Sequence, residues 1–165
     1  MRFVVFAAFL LGISLANAQT NPAPVRMDEV RIVLFRSESA LRKALKMPAT
    51  KLVPGAKKTA TRKEIIAEFQ RVIDEFRPHF RMTPRPQRIS ASAIEKANDK
   101  ATSDMIKKLA AGRFIGPVGP LATGPQDSLT LQQFGDEVGL LFSQISFLTH
   151  QQSPRWSPNL MRPGD

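Results

Sequence analysis

The sequence predicts an all-α fold, and three observations carry that prediction. Residues 60–76, ATRKEIIAEFQRVIDEF, set Ile65, Ile66, Phe69, Val72, Ile73 and Phe76 at the spacing of one helix face. Residues 129–145, LTLQQFGDEVGLLFSQI, carry a weaker copy of that stripe. Both stretches open with cap chemistry: Thr61 with Glu64, and Thr130 with Gln133, where each side chain satisfies a backbone N–H at the helix start.

The chain opens on an expected export signal at residues 1–18. Arg2 precedes an apolar run from Phe3 to Ala16, and Ala16-Asn17-Ala18 has the small-x-small form of a cleavage site. The run is shorter than the ~20 residues a spanning helix needs, and no later stretch is long and apolar enough. This predicts an exported protein, in the periplasm, the cell envelope or on the cell surface. The remainder is long enough for one domain with its own core.

Residues 19–27, with Pro22 and Pro24, read as a flexible leader. The helical domain is expected over 28–150. Val30 to Phe35 fits a strand as well as a helical stripe. Helix is expected over 38–46, with Ser37 as N-cap and Pro48 as the stop. Residues 47–59 form a basic loop. The 60–77 helix follows, ended by Pro78. Residues 78–91 carry Pro78, Pro84 and Pro86 among Arg81, Arg85 and Arg88, which predicts an extended basic connector. Residues 92–111 favour helix, with Ser92 and Ser103 as caps and Gly112 ending it in a left-handed conformation. The Gly- and Pro-rich loop 113–128 is expected to bury Phe114, Ile115, Val118 and Leu121, and the 113–121 stretch has room for a short strand. The last helix runs over about 129–148. Residues 151–165, with three prolines and Trp156, read as a disordered tail.

The two long helices match position by position. Ile65 answers to Phe134, Glu68 to Glu137, Phe69 to Val138, Val72 to Leu141 and Phe76 to Ile145. Leu41, Lys43 and Leu45 answer to Met105, Lys107 and Leu109. The unit is a helix, an irregular loop and a capped longer helix, over about 38–77 and again over about 92–148. Neither copy can bury its apolar face alone, so the copies should pack together.

Thr61-Arg62-Lys63-Glu64 and the apolar spacing after it resemble the second helix of the S-layer homology (SLH) repeat. Ile106 to Gly112 resembles the end of that repeat's first helix, Phe114 to Gly119 its loop, and Leu129-Thr130 the start of its second helix. The resemblance spans about 38–146. The signature arginine position holds Leu131 in the second copy. The resemblance implies a helical module associated with a cell-wall or surface polysaccharide. It also implies that Arg62, with Thr61, Lys63 and Glu64, takes part in holding an acidic sugar.

Charge agrees with an anionic partner. Lys and Arg number 24 against 14 Asp and Glu, a net +10 at pH 7. There is no cysteine, so burial and not disulfides must stabilise the domain. His79 and His150 each follow an amphipathic helix, where a cation suits the dipole. Neither zinc spacing nor a serine elbow is present, and the prolines around Gly116, Gly119 and Gly124 spoil a phosphate loop. Neighbouring acids such as Asp136 and Glu137 diverge by about 100° around a helix and do not converge as an acid–base pair. The residues therefore point to a non-enzymatic module with no cofactor. With no tyrosine and one tryptophan, nucleic acid is disfavoured. The alternative is an exported helical adaptor that binds an envelope protein through an apolar face or its proline-rich segments. An apolar flank left open by two repeats would also suit a homo-oligomer.

Overall fold

The computed structural model describes residues 23–151. The expected export signal, the first part of the leader, and the tail beyond Gln151 with Trp156 lie outside the described residues. The described chain is helical, in the order α1 (Met27–Ala44), α2 (Arg62–Phe76), a 3-10 turn (Arg77–His79), α3 (Ala91–Ala97), α4 (Lys100–Ala111), α5 (Pro120–Thr123) and α6 (Leu131–Leu148). Among the described residues there is no named strand, only two isolated bridges, Pro24 with Thr130 and Arg26 with Thr59. No helix of the described residues is long and apolar enough to cross a membrane.

Helix α1 corrects two expectations. It is one helix of 18 residues, so neither a strand at Val30–Phe35 nor a new start at Ser37 occurs. Met27, Val30, Leu34, Ser37, Glu38 and Leu41 form its buried face, and that period is helical. Asp28 and Glu29 sit in its first turn and Arg42 and Lys43 in its last, each sign matched to the dipole. The Ser37 hydroxyl turns back to the carbonyl of Val33, four residues earlier.

Both long helices start as expected. Thr61 Oγ1 accepts from Glu64 N at 3.3 Å, and the Glu64 carboxylate accepts from Thr61 N at 3.0 Å. Thr130 and Gln133 repeat the exchange at 3.2 and 3.0 Å. Helices α3 and α4 start at other residues than expected, and only α4 has a side-chain cap. Ser90 precedes α3, and Asp99 caps α4 by accepting from Thr102 N at 2.9 Å. Ser103 is buried inside α4, with its hydroxyl directed to the carbonyl of Ile94. At the end of α4 the left-handed residue is Arg113, with φ 64°, and not Gly112. In the loop that follows, Phe114, Ile115 and Leu121 are buried, but Val118 is 76% exposed.

One apolar core serves the whole domain. It joins Val30, Leu34 and Leu41 of α1, Ile65 to Phe76 of α2, Ile94 of α3, Ile106 of α4, Leu121 of α5, and Phe134 to Leu148 of α6. Phe69 and Val138 belong to this one cluster, and the rings of Phe69 and Phe134 lie 6.1 Å apart. The end of the expected flexible leader is held as well. Buried Val25 donates its N–H to Leu129 O at 2.8 Å and accepts from Ala60 N at 2.9 Å. It therefore links the residues just before the two Thr caps. The basic loop closes over the start of α1, where Met27 N donates to Lys58 O. A Cβ at Gly55 would lie 2.3 Å from Met27 O, so only glycine permits that approach.

Candidate functional site

The sequence directs attention to the start of α2. There the four expected binding residues divide. Arg62 is only 3% exposed. Its Nη1 donates to Asn98 Oδ1 at 2.7 Å, and its Nη2 donates to the carbonyls of Gly124 and Gln126, both at 2.5 Å. Asn98 in turn donates to the carbonyls of Ile94 and Ala122 at 2.9 Å. This node fastens α2 to the α3–α4 junction and to the segment after α5. The turn is close enough that a Cβ at Gly124 would meet Pro120 O at 2.4 Å. Burial lowers the Arg62 pKa, and the nearby Asp127 partly opposes that. A polymer cannot reach this guanidinium, so the expected contact between Arg62 and an acidic sugar does not fit its surroundings.

Thr61 and Glu64 are engaged in the cap. Glu64 also receives Lys58 Nζ at 2.5 Å. The Lys58 bond, with the Thr61 backbone N–H, holds the Glu64 carboxyl down to about 2, against an ordinary value of 4.5. A carboxylate held below its unfolded value stabilises the fold above pH 4.5, and the contribution is lost as pH falls from there towards 2. Glu64→Gln should therefore flatten the acid limb of a stability–pH curve measured by urea unfolding. A limb as steep as that of the wild type would show that the cap contributes nothing there. Lys63 is the one exposed member of the four and is in no ion pair among the described residues.

A second polar array was missed from the sequence. Arg31 and Arg71 both bind Glu68, at 2.8 and 2.9 Å. Arg71 also pairs with buried Glu38 and reaches Glu75 at 3.3 Å, and Arg42 meets Glu75 at 2.5 Å. These pairs run along the α1–α2 seam. Their signal was present: Arg31, Glu38 and Arg42 recur at helical spacing, as do Glu68, Arg71 and Glu75. Beside them lies a pocket of about 160 Å³, lined by Phe35, Leu52 and Val53 together with Arg31, Glu38, Glu68 and Arg71. Those four charged groups are already paired with one another, and the fifth charged group of the lining, Lys51, is in no ion pair among the described residues.

Glu137 is the counterpart of Glu68 in the alignment of the two long helices. It is 4% exposed and takes its partners from the backbone, with Gly116 N at 3.5 Å. Burial raises its pKa, against the pull of the Gly116 and Leu121 N–H groups. Among the described residues no three His, Asp or Glu side chains gather as metal ligands would. Comparison of the chain with protein families, with curated proteins and with solved structures finds no match.

Proposed function

We propose that this is an exported, non-enzymatic module that attaches to an acidic cell-wall or surface polymer, built from two SLH-like units. One observation carries the reading: at least half of the acids are taken up in ion pairs within the protein, while a larger set of exposed cations is left over. Glu38, Glu64, Glu68, Asp74, Glu75, Glu95 and Asp104 each sit in an ion pair. Arg36, Lys43, Lys46, Lys51, Lys57, Lys63 and Lys96 are exposed and belong to no ion pair among the described residues. Such a surface attracts polyanions over a Debye length of about 8–10 Å.

The two-unit arrangement is supported by the paired Thr caps, the shared core and the position of Val25 between Ala60 and Leu129. In this reading the polymer contact lies on Lys57 and Lys63, beside the cap, and buried Arg62 holds the fold beneath them. Retention on purified cell-wall sacculi tests it. The protein should be retained at low salt and released steeply as salt rises, because screened charges lose their attraction. Lys57→Glu with Lys63→Glu should weaken retention by roughly thirtyfold, since each reversal replaces attraction by repulsion worth about 1 kcal/mol near a surface. Sacculi that retain no protein at low salt would end the polymer reading.

A further inference from the structure

A different face carries a second inference, independent of the polymer contact. Helix α6 turns Leu140 and Phe147 outward, 48% and 42% exposed. They are seven residues apart, so they stand one above the other on the same side of the helix. Four contacts fix what flanks them. Gln144 Nε2 donates to Gly112 O at 3.0 Å, which brings Arg113 alongside. A Cβ on Gly116 would lie 4.0 Å from Leu140 Cδ1, so the loop bearing exposed Val118 runs beside Leu140. Arg81 N donates to Leu148 O at 2.8 Å, and Gln87 N to Ala111 O at 3.0 Å. The connector therefore crosses from the end of α6 to the end of α4.

Arg81, Arg85, Arg88 and Arg113 are all exposed and belong to no ion pair among the described residues. Residues 77–91 and 105–126 contain no Asp or Glu. Asp136, one turn before Leu140, marks the acidic limit of the face. Single exposed apolar side chains are ordinary on a protein surface. Here three lie beside unpaired arginines with no exposed acid between them, Glu137 being buried beneath the loop. A sugar polyanion would use the arginines and leave the apolar groups idle. Nucleic acid stacks its bases on aromatic platforms, and of the three exposed apolar groups here only Phe147 is aromatic, while Phe80 and Phe114 stack on each other at 6.4 Å and Phe114 is buried. A bilayer uses both sets: guanidinium groups at the phosphates, and apolar side chains at the headgroup–acyl boundary.

We propose that this face rests on an anionic phospholipid surface, with Arg81, Arg85, Arg88 and Arg113 at the headgroups and Val118, Leu140 and Phe147 inserted beneath them. Sedimentation with vesicles tests it. The protein should bind equimolar phosphatidylglycerol and phosphatidylcholine, and should ignore phosphatidylcholine alone. Arg81→Ala, Arg85→Ala and Arg88→Ala together should weaken binding about a hundredfold, roughly fivefold for each arginine near an anionic surface. Phe147→Ser should weaken it about tenfold, from the lost apolar burial. Val118→Asp should do the same, and at so exposed a site it should leave the melting temperature unchanged, which separates lost binding from lost folding. Lys57→Glu with Lys63→Glu should leave vesicle binding intact. Equal binding to neutral vesicles would overturn the proposal. So would undiminished binding by Val118→Asp and Phe147→Ser alongside loss in the arginine variant, which would make the face a purely electrostatic polyanion contact. A protein that is retained by sacculi but binds neither vesicle would overturn this inference and leave the polymer reading standing.

Discussion

Arg62→Ala should lower the stability to urea unfolding by about 3 kcal/mol, because it strips a buried guanidinium from three acceptors at once. The carbonyls of Gly124 and Gln126 and the Asn98 amide oxygen would be left without that donor. Arg62→Lys keeps the charge but offers one point instead of a fork, so it should recover part of the loss and leave about 1–2 kcal/mol missing. Amide exchange around 124–127 should quicken first, since Arg62 N also donates to Asp127 O at 2.7 Å. Retention on sacculi, expressed per folded molecule, should not change. A variant that melts like the wild type but no longer binds sacculi would return Arg62 to the role the SLH resemblance implies.

Phe69→Ala should cost about 3–5 kcal/mol, the usual loss when a large ring leaves a closed core. Against a total of about 5–15 kcal/mol this is a severe change, visible as a large drop in urea midpoint. The ring sits where α2 meets Phe134 of α6. The domain should still unfold in one transition, with helical and tertiary signals falling together. Phe134→Ala should behave alike, and the double variant should lose less than the two losses added, because both rings border the same space. Two separate transitions in Phe69→Ala would mean that the halves hold independent cores.

The parts legible in the sequence were those governed by local chemistry. A Thr with Glu or Gln three residues on, followed by a helical stripe, fixed the starts of α2 and α6, and the burial of Phe69, Val72, Val138 and Leu141 followed from the same period. The full extent of α1 was hidden for two reasons. Val30 to Phe35 suits a strand by composition, and Ser37 looks like a cap when its neighbours are unknown. What decides the matter is tertiary: Glu38 and Arg31 meet arginine and glutamate of α2, and those partners hold the middle of α1 in helix. Arg62 was misjudged for a similar reason. The first turn of a helix is usually wet, and nothing local announces that α5 and Asn98 will close over it. Val118 was expected inside because its neighbours Phe114, Ile115 and Leu121 are, but the turn between Gly116 and Gly119 points it outward.

The position of Val25 has a consequence for the order of assembly. Its carbonyl and amide are claimed by Ala60 and by Leu129, the latter roughly 100 residues downstream. A ribosome that has released only the first half of the chain has therefore not yet supplied one side of that join. The residues just ahead of α1 therefore gain their second backbone partner only once Leu129 has been made, which places a long-range closure at the start of a fold built of helices.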